Sequence, residues 1–275
     1  MGKLAFKITL LCVLLMAIKL PWEEKIQDLH PPSKAGAQLT VDLRSKLGQN
    51  FAIAVLSGFR GLVADFIWLR AHAAWEDNQW YKMKEGLDLA VILQPHSISF
   101  WDIGAWHMAW NASVHERRNK AYATEAYRIK AERDWILAGK KYLENGIRNN
   151  PENWELYFAM TRLIDWKLKD PIEAAPYAIK AASFPQAPLY VGRQVGLLYQ
   201  KAAENAEDLK EKEKWTRAAY EWWKSLWLQN HALQPNQDWN KIERWGRECE
   251  EQLKIPAAER VFPSKPISTN LKISR

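Results

Sequence analysis

The sequence predicts an all-α protein, and three observations carry that prediction. Glycine is scarce, with 12 in 275 residues, and Ala, Leu, Lys, Glu, Arg and Trp dominate while runs of β-branched residues almost vanish after Val63. That composition favours helix throughout. Apolar residues recur at helical spacing: Met83, Leu87, Ala90 and Val91 form one stripe, and Trp101, Ala105, Met108 and Ala112 another. Prolines punctuate the chain at Pro95, Pro151, Pro185, Pro188 and Pro235, each followed within a few residues by an aromatic-rich helical pattern. Proline closes one helix and is tolerated at the start of the next, so it marks helix boundaries. No segment alternates as a strand.

The elements follow in order. Residues 4–20 form an apolar run whose core from Ile8 to Ile18 is preceded by Lys3 and Lys7, and Trp22, Glu23 and Glu24 follow it. Its length is the lower limit for crossing a bilayer. No small-residue cleavage site follows it in "MAIKLPWEE", and Cys12 lacks the small residue that a lipoprotein box needs before it. Residues 1–21 therefore read as an uncleaved signal anchor, one N-terminal transmembrane helix. The positive-inside rule leaves the N-terminus in the cytoplasm and carries the remainder across. In a bacterial cell the protein would be single-pass in the inner membrane, with its C-terminal domain in the periplasm.

Residues 22–47 read as a linker, with "HPPSKAGAQ" at its centre. A helical domain follows over 48–254. Its helices are expected at 57–75, 79–93, 97–113, 116–148, 152–168, 172–182, 189–206, 211–233 and 237–253. The last stretch, 255–275, reads as a disordered basic tail with Arg260, Lys265, Lys272 and Arg275.

From Pro151 to Pro185 is 34 residues. On this beat the chain resembles the tetratricopeptide-repeat (TPR) family, whose unit is a helix–turn–helix of that length. Ala71, Leu87 and Ala90 before Pro95 occupy the small and large packing positions of one unit. Trp101, Ala105, Gly139, Leu143 and Gly146 before Pro151 do so for the next. The units ending at Pro185 and Pro235 match the motif poorly. The resemblance implies antiparallel helix pairs stacked as a TPR-like superhelix, and a domain that holds protein partners without catalytic residues of its own. Gly58-Phe59-Arg60-Gly61, leading into Ala64-Asp65-Phe66-Ile67-Trp68-Leu69-Arg70-Ala71, is also similar to membrane-anchored helical-repeat proteins of bacterial envelopes.

Of the 16 tryptophans, 15 fall between Trp68 and Trp245. Trp68 and Trp75, seven apart, share a helix face with Ala64 and Ala71, which suits core packing. Arg60 and Asp65, five apart, are too far round a helix to pair well, so Arg60 is a candidate anion anchor. In "YEWWKSLW", Trp223 and Trp227 share a face and Trp222 points elsewhere, so at least one ring should reach solvent or a partner. The candidate partner-binding residues are thus Arg60, Asp65, Trp68, Trp75, Trp222 and Trp227.

No catalytic, cofactor or metal signature emerges. The two cysteines, Cys12 and Cys249, form no CxxC, and GxSxG, P-loop, GxGxxG and HExxH are all missing. His72 with Glu76, and His107 with Asn111, are one turn apart and read as satisfied helix histidines. Asn111-Ala112-Ser113 is a glycosylation sequon placed inside an expected helix. The net charge of +7 is spread over interleaved stretches such as "KAERDW" and "EDLKEKEKW". These read as solvated helix faces, not a nucleic-acid surface. The expected function is an envelope scaffold that binds a protein partner within a membrane-associated assembly. The rival is a Trp-lined glycan binder or cell-wall enzyme, with Glu76, Asp102 and Asp165 as its candidate acids.

Overall fold

A computed structural model describes residues 58–230 and 239–263. The expected anchor at 4–20, the linker at 22–47 and the end of the tail lie outside the described residues. The chain divides into two compact units, Met1–Arg60 and Gly61–Arg275; apart from its first residues, everything below belongs to the second.

All regular structure among the described residues is helical, arranged as stacked helix pairs. α1 (Arg60–Glu76) and α2 (Trp80–Leu93) are followed by α3 (Ile98–Trp106), which passes through a π-helical turn (His107–Ala112) into α4 (Ser113–Arg118). Next come α5 (Glu125–Asn149), α6 (Trp154–Leu163) with a second π turn (Ile164–Leu168), and α7 (Pro171–Ala182). α8 (Leu189–Asn205), α9 (Leu209–Asn230) and α10 (Asn240–Gln252) complete the set. No helix among the described residues is long and apolar enough to cross a membrane.

Side-chain caps define several starts. Thr124 accepts the Tyr127 N–H at 3.4 Å, Asn153 that of Leu156 at 3.1 Å, Asp170 that of Glu173 at 2.8 Å and Asp208 that of Glu211 at 2.8 Å. Each satisfies a donor that the first turn leaves without an intrahelical partner. Lys169, in the left-handed region at φ 60°, ends the second π turn directly before Asp170.

One boundary differs from the sequence expectation. The break between the third and fourth helices falls at 119–124, not near 114–115, because Ser113 continues the helix and the turn is closed by local side-chain bonds. Asn119 Oδ1 accepts the Ala121 N–H at 3.0 Å, and the Tyr122 hydroxyl donates to the buried Glu116 carboxylate at 2.6 Å. Within the expected tail, a short 3-10 turn (Ala257–Glu259) leads to Phe262, which is buried against α10. The Val261 and Phe262 N–H groups both donate to Glu250 Oε1, at 2.7 and 3.2 Å, which ties this strap down.

From α3 onward the helices pack chiefly on near neighbours in the chain: α5 on α3 and α4, then α6 on α7, α7 on α8, α8 on α9 and α9 on α10. The close approaches are made by glycine against bulk. A β-carbon on Gly104 would stand 2.6 Å from the Tyr142 ring, and one on Gly146 would stand 2.8 Å from Trp101. Buried polar atoms lock the same places. The Tyr142 hydroxyl donates to the Leu87 carbonyl at 3.0 Å. The Pro95 carbonyl accepts from both Trp101 Nε1 at 2.8 Å and Asn150 Nδ2 at 2.9 Å. The α2–α3 turn is thereby fastened to the C-terminal end of α5. At the far end, Tyr220, Trp223, Trp239, Ile242, Cys249 and Phe262 form a compact aromatic cluster, and burial pushes the Cys249 thiol up to about 12.

Candidate functional site

An open groove of about 910 Å³ is lined by Trp75, Trp80, Trp106 and Trp110, with Glu76, Asn78, Asn111, Val114, His115, Arg118 and Asn119. Four parts of the fold supply it. The last turn of α1 presents Trp75, and the tight connection through Asn78, which sits at φ 56°, brings in Trp80 at the start of α2. The end of α3 and its π turn present Trp106, Trp110 and Asn111, and α4 adds His115 and Arg118. A π turn widens the helix locally and re-aims side chains, and such turns are frequent at functional sites. Here the Ser113 hydroxyl donates back to the Ala109 carbonyl at 2.6 Å inside that turn.

The rings are held in defined contacts. Trp106 and Trp110, one turn apart, stack with centroids 4.4 Å apart and planes 9° from parallel. Lys167 Nζ lies 5.9 Å from the centre of the Trp110 ring, a cation–π distance. Trp106 is 38% exposed, whereas Trp80 is 6% exposed and forms part of the floor. Trp75 clusters with two imidazoles, its centroid 4.7 Å from His72 and 4.8 Å from His107, which are themselves 5.9 Å apart.

Hydrogen bonds assign the histidine roles. Trp80 Nε1 can only donate, and it lies 2.9 Å from His115 Nδ1, which accepts. His107 Nδ1 is 2.9 Å from the Asn111 amide nitrogen and accepts in the same way. Burial, reinforced by the nearby His72, pulls the His107 pKa down to about 4. His107 is therefore neutral near pH 7 and acts as a wall of the Trp75 pocket. Glu116 accepts a hydrogen bond from the Tyr122 hydroxyl, which pushes that phenol up to about 12. Its role is to close the loop after α4.

The structure does not gather the candidate acids. Glu76 stands at the groove, 4.0 Å from His72 and largely solvated. Asp102 is 3.4 Å from Arg162, and burial raises its pKa in spite of that neighbour. Asp165 is buried and bonded to Lys201 at 2.5 Å. Two of the three are thus held by cations outside the groove lining. Among the described residues, no set of three His, Cys, Asp or Glu side chains is placed to hold a metal ion.

Of the residues singled out from sequence, Trp75 lines the groove. Trp68 stacks on Phe100 at 4.5 Å and 9°. Arg60 opens α1, half-buried, with its pKa lowered by burial, and Asp65 is exposed. Trp222 donates to the Gly192 carbonyl at 2.7 Å, and Trp227 meets Trp239 and Phe262 at 6.1 and 5.7 Å. Both are partly buried and belong to the α8–α10 end, apart from the groove lining. Sequence reasoning did not single out Trp80, Trp106, Trp110 or His115. The four-residue spacing of Trp106 and Trp110 was the available signal.

Compared with protein-family models, curated proteins and solved structures, the chain matches none.

Proposed function

We propose that this protein is a non-catalytic scaffold or adaptor of the bacterial cell envelope. In this reading, residues 4–20 anchor it in the inner membrane and a TPR-like array on the periplasmic side docks a protein partner. The observation that carries the proposal is the groove: four indoles converge from three helices around an open recess whose carboxylate, Glu76, has no acidic partner in the lining. Rigid aromatic side chains around a pocket are what protein interfaces use as anchors. Packing of successive helices from α5 to α10 on one another, with Ala71, Ala90, Ala105, Gly139 and Gly146 buried, supports the TPR-like part of the reading.

The second reading, a glycan binder, draws on the exposed Trp106 ring. It is less favoured because sugar rings stack on open aromatic faces. Trp106 and Trp110 take up one face of each other, Trp75 is in contact with two imidazoles and Trp80 is buried. What remains suits ring-edge contact with apolar side chains.

Affinity purification of the tagged full chain from membranes, wild type beside a Trp106→Ala/Trp110→Ala double variant, separates the readings. A protein recovered in constant proportion with wild type and lost from the folded double variant supports the scaffold. Quenching of tryptophan fluorescence by purified wall glycan fragments, with no co-purifying protein, supports the glycan reading instead.

A further inference from the structure

A second open recess, of about 470 Å³, shares no lining residue with the groove. Helix α5 supplies one wall through Ile129, Arg133, Ile136 and Leu137, whose spacing places them on one helix face. The other wall includes the second π turn, which brings in Lys167 and Leu168 just before the left-handed Lys169 ends it. Ile136 is buried, while Ile129 and Leu137 remain 49% and 41% exposed. Each lining carboxylate is already engaged. Glu132 is held by Arg117 at 3.3 Å, Glu173 by Lys140, and Asp170 by the Glu173 N–H at 2.8 Å. The side chains of Lys167 and Arg133, in contrast, make no hydrogen bond or ion pair among the described residues. Lys167 is partly buried, and that burial lowers its pKa. A carboxylate arriving there would replace hydration that the ammonium has lost.

Lys167 also joins the two recesses. Its Nζ lies 5.9 Å from the ring of Trp110, which lines the groove. An extended chain advances about 3.3 Å per residue, so a segment touching Trp110 reaches Lys167 within about two residues. The groove lining carries Glu76 and Arg118, one formal charge of each sign, and so selects neither. The second recess selects a sign through its two free cations. We infer that the partner segment seated in the groove is acidic and continues past Trp110 into this recess, where Lys167 and Arg133 take its carboxylates and Ile129 and Leu137 meet its apolar side chains. The inference rests on the docking role proposed for the groove. Charges placed in this way decide which segment binds, and in what register, more than they set raw affinity.

The test is photo-crosslinking of the full chain in intact cells, with a benzophenone amino acid at position 137 in the recess beside one at position 106 in the groove. The same protein should be captured from both. Its peptide joined to position 137 should carry Asp or Glu within about three residues of the attachment point, roughly 10 Å of extended chain. Lys167→Gln/Arg133→Gln should lower the yield at position 137 about tenfold, as the loss of two charge-assisted contacts would. Lys167→Arg/Arg133→Lys keeps both charges and should keep the yield. An adduct from position 106 with none from 137, or with a different protein from 137, overturns the inference and leaves the groove reading standing. A yield unchanged in the Gln pair, or a captured peptide without an acidic residue, overturns the acidic assignment. No adduct from either position overturns both.

Discussion

Gly196 lies against the indole of Trp223, with no room for a β-carbon between them. Trp223 is fully buried, and its other neighbour is the Trp245 ring, stacked at 4.9 Å. The α8–α9 pair closes to that distance because α8 carries no side chain at the point of contact.

Gly196→Ala should therefore destabilise the fold. Overpacking a closed site costs about 1–3 kcal/mol, more than the roughly 1 kcal/mol that alanine contributes over glycine inside a helix. Gly192→Ala, four residues earlier, meets only the flexible tip of Leu226 at 3.3 Å and should be neutral or slightly stabilising. Urea unfolding of the two variants beside wild type checks the contrast. Equal midpoints would remove the close approach from the account.

His107 predicts a pH dependence of stability. Its pKa is about 4 in the folded protein against about 6.5 unfolded, so between those values the unfolded chain binds more protons. Stability then falls as pH drops through that window, by roughly 3 kcal/mol in full, and levels off below it. His107→Gln should lose this component, which appears as the difference between the wild-type and variant urea midpoints at pH 7 and pH 4.5. A constant difference across that range would contradict the buried neutral imidazole.

Glu250 governs the C-terminal strap. Its carboxylate is 1% exposed and receives two backbone N–H groups through Oε1. Glu250→Ala removes both bonds, each worth about 1.5–3 kcal/mol when made to a charged acceptor, and should release Phe262 from α10. Trypsin cleavage after Arg260 is the readout, expected to be faster in the variant. Unchanged cleavage would mean that Phe262 holds the strap by its own packing on Gly246.

These relationships mark what the sequence made legible. The helices and most of their ends were readable, because Pro95, Pro151, Pro185 and Pro188 act within a few residues. The break at 119–124 was not. "NKAYATEAY" is good helix sequence, and its turn depends on Tyr122 reaching Glu116. The groove was legible only in part, through Trp75. Which indoles face outward is decided by the tight turn at Asn78 and the π turn at His107–Ala112, neither of which leaves a periodic signature. Trp222 and Trp227 illustrate the converse. Their spacing promised at least one exposed ring, and the packing of α10 and the Phe262 strap leaves both partly covered.

Trp106 separates recognition from stability. Because it is partly exposed on the groove rim, Trp106→Ala should cost no more than about 1 kcal/mol of stability, whereas Trp223→Ala should cost about 3–5 kcal/mol. Thermal unfolding of the two variants distinguishes a binding-surface ring from a core ring. A comparably large loss in Trp106→Ala would reassign Trp106 to the core.

The central claim is that the groove holds a segment of a protein partner, and photo-crosslinking in intact cells addresses it most directly. A benzophenone amino acid at position 106, in the groove, is compared with one at Tyr190, exposed on α8. The account predicts a discrete protein adduct from position 106 that is absent from position 190 and lost when Trp110→Ala is added. No protein adduct from position 106, or the same adducts from both positions, would contradict it.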